Sequence, residues 1–381
     1  MNAAFIRELS QRVRLDAREV AVLSAAGVRS YASLYNLVTA FPSVADAGLN
    51  LAKLSSVAAR ELPAMVAALS QTAPPTSIPP SVLGAMHPAG APTPPGAVIQ
   101  IGGSAASPSY TFGATAPGVG APAANSPPPP VFGGSIDVRP SGRWPVKDQG
   151  NRGTCVAFAV TACGEFICAS GTLSEQYLYW ATKTMTADPA PAADGTHLRF
   201  ARDALSGHGV CDDVLWPYAG VANPANITYA APPHAPSAAA KANALGNRLV
   251  TMVPASLPAG TAAQALWNAL DAKKSPVAIS LPVIRSPGSA THNWNSPLAM
   301  LTGEVADPFA TGLCIGGHAV CVTGFVPDPM ESMGGYFVIR NSWGGRWGTS
   351  LPAAGYVGPE VGYGQVSASY VNDYLWEMCH L

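Results

Sequence analysis

The stretch "PVKDQGNRGTCVAFA", Pro145 to Ala159, decides how the chain is read. Pro145 fixes the backbone at its start, Lys147-Asp148-Gln149-Gly150 reads as a polar turn, and Cys155 opens a small, apolar, helix-favouring run. Gly150 and Gly153 allow a tight turn just before the cysteine. Cys155 would then sit in the first helical turn, where unpaired N–H groups and the positive end of the helix dipole stabilise a thiolate. The side-chain amide of Gln149 can donate toward a developing oxyanion, with the N–H of Cys155 as the second donor. Locally, two readings stand: a nucleophile, or a buried structural cysteine, the common fate of a free thiol.

Two later stretches supply the partners a nucleophilic thiol needs. His318 lies in "IGGHAVCVTGF" and Asn341 in "VIRNSWGGRWG". A thiol hydrolase needs an imidazole to take and return a proton, and a polar group to hold that imidazole's tautomer. Alone, His318 reads as a core histidine at the start of a strand, and Asn341 as a turn residue. Trp343 is well placed to shield an Asn341–His318 hydrogen bond from water, which strengthens it. His197, His208, His234, His292 and His380 lack comparable flanks.

The chain has 381 residues, 48% hydrophobic and 11% charged, with a formal net charge of −1. No global positive field draws nucleic acid or anionic lipid. No apolar run approaches the roughly 18 residues of a membrane span. The first twenty residues lack the apolar stretch of a secretory signal, so cytoplasmic synthesis is expected, with export by a specialised system left open. Seven cysteines without a CxxC pair argue against a disulfide scaffold and a zinc site; no metal or cofactor is expected.

Three composition zones follow. Residues 1–70 read as a small helical bundle, with Asp16 and Glu19 as a capping pair, Gly27 as a stop and Ser30 as a further cap. Residues 71–135 are rich in Pro, Ala, Gly and Ser and read as a semi-rigid linker. Residues 136–381 hold the signals of a globular domain. "CVAFAVTACGEFICAS" is apolar on every face, as a buried helix would be; "LSEQYLYWATKT" offers Ser174 as a cap. "HAVCVTGFV" and "YFVIRNSW" read as strands, so helices precede strands and the class is α+β.

"PVKDQGNRGTCVAFA", "LSEQYLYW", "GGHAVCVTGF" and "YFVIRNSWGGRWG" together resemble, in order, the four signature stretches of papain-like cysteine peptidases. "DGTHLRFARDALSGHGVCDDVLWPYAG" resembles the segment lining the family's substrate groove, and "KKSPVAISLPV" the strand before the histidine loop. The resemblance runs from about Asp137 to near the C-terminus. It implies a papain-like two-subdomain fold, helical plus β-barrel-like; the separate all-α bundle read from periodicity lies ahead of it, outside the resemblance. It also implies Cys155 as nucleophile, His318 as base and acid, Asn341 as orienter of the imidazole and Gln149 as oxyanion donor, acting on a polypeptide substrate. Gly195 matches a glycine that lets a substrate backbone approach; a turn glycine is the alternative. Gly195 and Trp343 are the expected substrate-binding residues.

The departures are specific. Arg152 stands where the family has a disulfide cysteine, Thr154 where serine is usual, Val156 where tryptophan follows the nucleophile, and Gly317 where Asn or Asp often precedes the histidine. Residues 284–313 look like an enlarged loop over part of the groove. Residues 1–70 do not resemble the usual pro-segment. They either recruit a protein partner while the linker lets the peptidase swing, or block the cleft until the linker is cut. A catalytically silent scaffold and a thiol amidase or transpeptidase are the alternative functions.

Overall fold

The computed structural model describes residues 3–25, 28, 31–40, 49–61, 84–86, 97–99, 110–112, 132–139, 146–168, 171–189, 191, 194–219, 235–249, 261–285, 291–307, 313–328, 331, 333–348 and 361–380. Among the described residues, four helices come first: α1 (Ala3–Val13), α2 (Ala17–Ala25), α3 (Tyr31–Ala40) and α4 (Leu51–Glu61). The capping pair forms as the spacing predicts. Glu19 N–H donates to Asp16 Oδ1 at 2.8 Å, and Asp16 N–H to Glu19 Oε2 at 3.0 Å. Gly27 and Ser30 lie outside the described residues.

Their apolar faces bury Phe5, Leu9, Leu23, Leu34, Leu37 and Leu54 in one cluster with Ile284, Ala306, Cys314 and Trp376 from the far end of the chain. The sequence suggested a bundle with a core of its own. Helices this short are marginal alone, and here they complete their burial against the later domain.

The stretch read as linker is described at residues 84–86, 97–99, 110–112 and 132–135, and two of these pieces, 84–86 and 110–112, pair with the domain. Gly84–Met86 forms bridges to Thr196 and Gly317. Strands β1 (Ala97–Ile99) and β2 (Tyr110–Phe112) form an antiparallel hairpin, and β2 pairs with the start of a long strand near Cys314.

The domain begins with β3 (Ile136–Asp137) and then the helices α5 (Cys155–Cys168), α6 (Glu175–Met185), α7 (Leu198–His208), α8 (Ala238–Gly246) and α9 (Ala262–Lys273). Strand β4 (Val277–Arg285), helix α10 (Pro297–Thr302) and strands β5 (Leu313–Pro327), β6 (Gly335–Arg340) and β7 (Tyr363–Ser367) follow. Helix α11 (Ala368–Tyr374) and β8 (Glu377–His380) end it. Among the described residues the strands form one antiparallel sheet with β5 as its spine, flanked by β4 and β6; β8 extends it beyond β4 and β7 beyond β6.

The apolar run after Cys155 makes α5 a buried helix, and Val156, Val160, Leu178, Tyr179, Leu198 and Leu205 form the core of the helical half. This half closes on the sheet through small residues, Ala278, Ala319, Cys321 and Cys379, which let α5 approach β4 and β5. The sheet's other face is covered by α9 and α11 over Ile279, Leu281, Val322 and Phe337. All seven cysteines are thiols.

Candidate active site

Cys155 is the first residue of α5 and is fully buried. His318 lies on β5, and Asn341 follows the last residue of β6, whose Arg340 pairs with Cys321. Adjacent strands thus bring the imidazole and the amide together. His318 Nε2 and Asn341 Oδ1 are 2.7 Å apart, and Ser342 N–H also donates to Asn341 Oδ1 at 2.8 Å. An oxygen already accepting from a backbone N–H fixes the tautomer: Nε2 carries the proton, and Nδ1 is the basic nitrogen. Nδ1 is buried and has no hydrogen-bond partner among the described residues.

Two tryptophans hold the ring. Trp343 stacks on His318 with centroids 4.5 Å apart, and Trp294 meets it edge-on at 5.1 Å. Trp294 sits in the loop "THNWNSP" and is itself fixed: its indole N–H donates to Tyr370 Oη at 3.2 Å, and its carbonyl accepts from Trp347 Nε1 at 2.8 Å. The enlarged loop before β5 is described over residues 291–307. There it supports the imidazole from beneath through Trp294, a role the sequence did not reveal. Burial holds the His318 pKa down, to about 4, partly opposed by the Asn341 hydrogen bond.

Gln149 is fully buried beside Cys155's turn. Its Nε2 donates to Arg152 O at 2.8 Å, its Oε1 accepts from Ser342 Oγ at 2.5 Å, and its backbone N–H donates to Ser342 O at 2.8 Å. The loop bearing Gln149 is thereby laced to the residue after Asn341. Thr154 Oγ1 lies 2.7 Å from Tyr218 Oη, which donates to Gln149 O at 2.9 Å. Arg152, in place of a disulfide cysteine, donates to Gln176 Oε1 at 2.7 Å and Ala219 O at 3.0 Å, with its guanidinium 4.9 Å from the Tyr218 ring centre. Hydrogen bonds and a cation–π contact do the anchoring there.

Gly195 has φ +89, so it is a turn glycine, and it also permits a close approach. A Cβ there would lie 2.7 Å from Gly84 O. The approaching chain is the protein's own. Thr196 N–H donates to Gly84 O at 2.8 Å, Met86 N–H to Thr196 O at 2.9 Å, and Ala85 N–H to Gly317 O at 3.1 Å. Gly84 must be glycine, because a Cβ would fall 1.9 Å from Gly153 O. The groove wall is rigid: buried Lys183 donates to Asp188 Oδ2 at 3.0 Å and Gly195 O at 2.6 Å, and Gly195 N–H donates to Tyr179 Oη at 3.0 Å. Gly84–Met86 thus runs over Cys155. Burial pushes the thiol up to about 11, while backbone hydrogen bonding from Ala319, Gly84, Val156 and Ala85 pulls the other way.

The family model for papain family cysteine proteases matches residues 133–363, more than half of the chain. The chain belongs to the papain family of cysteine proteases. Among solved structures, xylellain, a cysteine protease from Xylella fastidiosa, is similar at 22% identity and TM-score 0.50, over 67% of this chain and 89% of that one. Digestive procathepsin L 3 of Tenebrio molitor larval midgut aligns at 14% identity and TM-score 0.46, over 100% and 98%. A search of the curated proteins finds no match. The papain-like fold and a cysteine-peptidase hydrolase follow from the family.

Proposed function

We propose that this papain-family protein hydrolyses peptide bonds through Cys155, His318, Asn341 and Gln149. His318 Nδ1 takes the Cys155 thiol proton, the sulfur attacks the scissile carbonyl carbon, and the C–S bond forms as the carbonyl π pair moves onto oxygen. The Cys155 N–H and the Gln149 amide steady that oxyanion. Imidazolium His318 gives its proton to the departing amine, leaving a thioester. Water, deprotonated by Nδ1, then attacks the thioester and the thiol leaves. Asn341 holds the tautomer throughout, with Trp343 keeping that hydrogen bond dry.

The observation that carries this reading is His318 itself: Nε2 bound to Asn341 Oδ1, the ring sandwiched by Trp343 and Trp294, and Nδ1 buried without a partner. His292 Nε2 and His380 Nδ1 are also buried without a hydrogen-bond partner among the described residues, so the Asn341 bond and the stacked Trp343, rather than the unpartnered nitrogen, set His318 apart. The test is turnover of a fluorogenic peptide by the wild-type chain, followed until its rate is constant, and by Cys155→Ala treated identically, with an epoxide adduct located by mass spectrometry. Equal turnover, or labelling spread evenly over the seven cysteines, overturns the reading in favour of a silent scaffold.

Gly84–Met86 favours one of the two roles open to the N-terminal region. In the described state the thiol is fully buried, and that burial raises its pKa to about 11. The segment is held there by its own backbone bonds, Thr196 N–H to Gly84 O at 2.8 Å and Met86 N–H to Thr196 O at 2.9 Å. The N-terminal region therefore acts as an internal block, with α1–α4 packed against the domain and Gly84–Met86 bridged to Thr196 and Gly317. Time courses of the purified chain test it: activity that rises with cleavage after residue 86 supports the block, and immediate full activity of intact chain removes it.

A further inference from the structure

Polar groups that the proposed reaction does not use gather beside the imidazole, on the loop that carries Trp294. His292 is 2% exposed. Its Nδ1 accepts from Trp294 N–H at 3.3 Å, which fixes the tautomer and places the ring's one proton on Nε2. That Nε2–H is buried with no hydrogen-bond partner among the described residues. Burial, then the nearness of His318 and Arg285, holds the His292 pKa down to about 3, so near neutral pH the ring is an uncharged donor. Arg285 ends β4 and faces His292 in an antiparallel bridge. Its Nε is likewise buried without a hydrogen-bond partner, and it has no ion-pair partner among the described residues. Trp343 Nε1 is another buried N–H without a partner; its ring lies 6.3 Å from that of His292, centroid to centroid, while stacking on His318.

The loop holds these donors in place. Asn293 N–H donates to Ile284 O at 2.9 Å, Ile284 N–H to Asn293 Oδ1 at 2.9 Å, and His292 N–H to Asn295 Oδ1 at 2.6 Å. An unpaired nitrogen alone singles out nothing, since His380 has one too. This group differs in composition and in place. It offers N–H donors and one guanidinium charge with no acceptor to match, a set that suits an acceptor-only anion. It also adjoins His318. The departing amine takes its proton from His318 Nδ1, so the residues after the scissile bond start beside the imidazole, whose flanks are Trp343 and the Trp294 loop.

We propose that Arg285 and His292 form a binding site for a carboxylate on the leaving-group side of the scissile bond. The guanidinium supplies the charge and His292 Nε2–H a fixed donor. Substrates with an acidic side chain there, or a free C-terminus there, are favoured. This rests on the roles proposed above for Cys155 and His318. His318 is itself fully buried in the described state, so both histidines share one condition before the cleft opens.

The test uses the full-length chain, followed until its turnover of a fluorogenic peptide is constant, with the scissile bond located by mass spectrometry. Two matched sets are then compared by kcat/KM: Glu against Gln in the positions just after that bond, and a peptide ending there as a free acid against its amide. A preference of about tenfold or more for the charged member of either set is expected, and the set that shows it tells a side-chain carboxylate from a chain end. Arg285→Gln is expected to erase most of that preference, and His292→Phe, which keeps a ring without the N–H, to reduce it. Equal kcat/KM within both sets, or a preference that Arg285→Gln leaves intact, overturns the proposal. Should His292→Phe not fold, Arg285→Gln, at a half-buried position, decides alone. A chain that turns over no peptide defeats the peptidase reading by itself, and affinity then decides for the carboxylate site. Dye-labelled acid and amide peptides are titrated into Gly84→Arg/Cys155→Ala, in which the first substitution has no room against Gly153 O and displaces the covering segment. Tighter binding of the acid, lost with Arg285→Gln, supports the site; equal or absent binding overturns it.

Discussion

Trp343 lies 27° from parallel with His318, centroid to centroid 4.5 Å, while Asn341 holds the same imidazole by its Nε2. The indole covers the ring that the amide orients, so a single side chain keeps water from both. Replacing Trp343 with Ala is expected to admit water, raise the His318 pKa from about 4 toward its ordinary 6.5, and lower kcat about tenfold. Because Trp343 is buried, the same change costs about 3 kcal/mol or more of stability. Histidine NMR titration and denaturant unfolding check the two parts separately; an unmoved His318 titration refutes the shielding role.

Gly84→Arg addresses the covered thiol. Its side chain has no room against Gly153 O, so the Gly84–Met86 segment must move away from Gly153. Water then reaches Cys155, whose pKa falls from about 11 because burial is the main force raising it. Epoxide labelling of Cys155 in the full-length variant is expected to run at least about tenfold faster than in wild type. Equal rates would show that the strand does not limit access.

Much of this site could be read from sequence because its parts are local. The first-turn position of Cys155, the Ser174 cap that accepts from Tyr177 N–H, and the strands before and after His318 all follow from patterns a few residues long. What escaped the reading depends on distant pairing. Gly84–Ala85–Met86 is compositionally a piece of linker, and only the groove offered by Gly153, Gly195 and Gly317 makes it a strand. Trp294 sits in a polar loop and gains meaning only from the ring beside it. Glu165 sits in an apolar run; its partners are Lys147, eighteen residues earlier, and Arg340 on β6.

Arg152 replaces a covalent anchor by charge-assisted hydrogen bonds. Arg152→Met keeps much of the bulk but leaves Gln176 Oε1 and Ala219 O without this donor, at a cost of about 2–3 kcal/mol. The turn carrying Arg152 O, which accepts from Gln149, loosens with it. Chemical denaturation and peptide kinetics are expected to show both lower stability and lower kcat. Wild-type kcat would separate the anchor from the oxyanion side of the site.

Glu175 gives the fold a pH dependence of known sign. Burial, with repulsion from Glu165, raises its pKa from 4.5 to about 7 against the pull of Lys147, since one ammonium serves two carboxylates. The folded protein therefore binds this proton more tightly than the unfolded chain. Its contribution is fully present below about pH 4.5 and is lost as pH rises through about 7. Glu175→Gln cannot ionise, so relative to wild type it should gain stability between pH 5 and pH 8, by up to ~3 kcal/mol. Urea unfolding of both proteins at the two pH values isolates this group from the other titrating residues. A stability difference that stays constant, or moves against Glu175→Gln at the higher pH, would mean that Glu175 is already ionised in the folded chain.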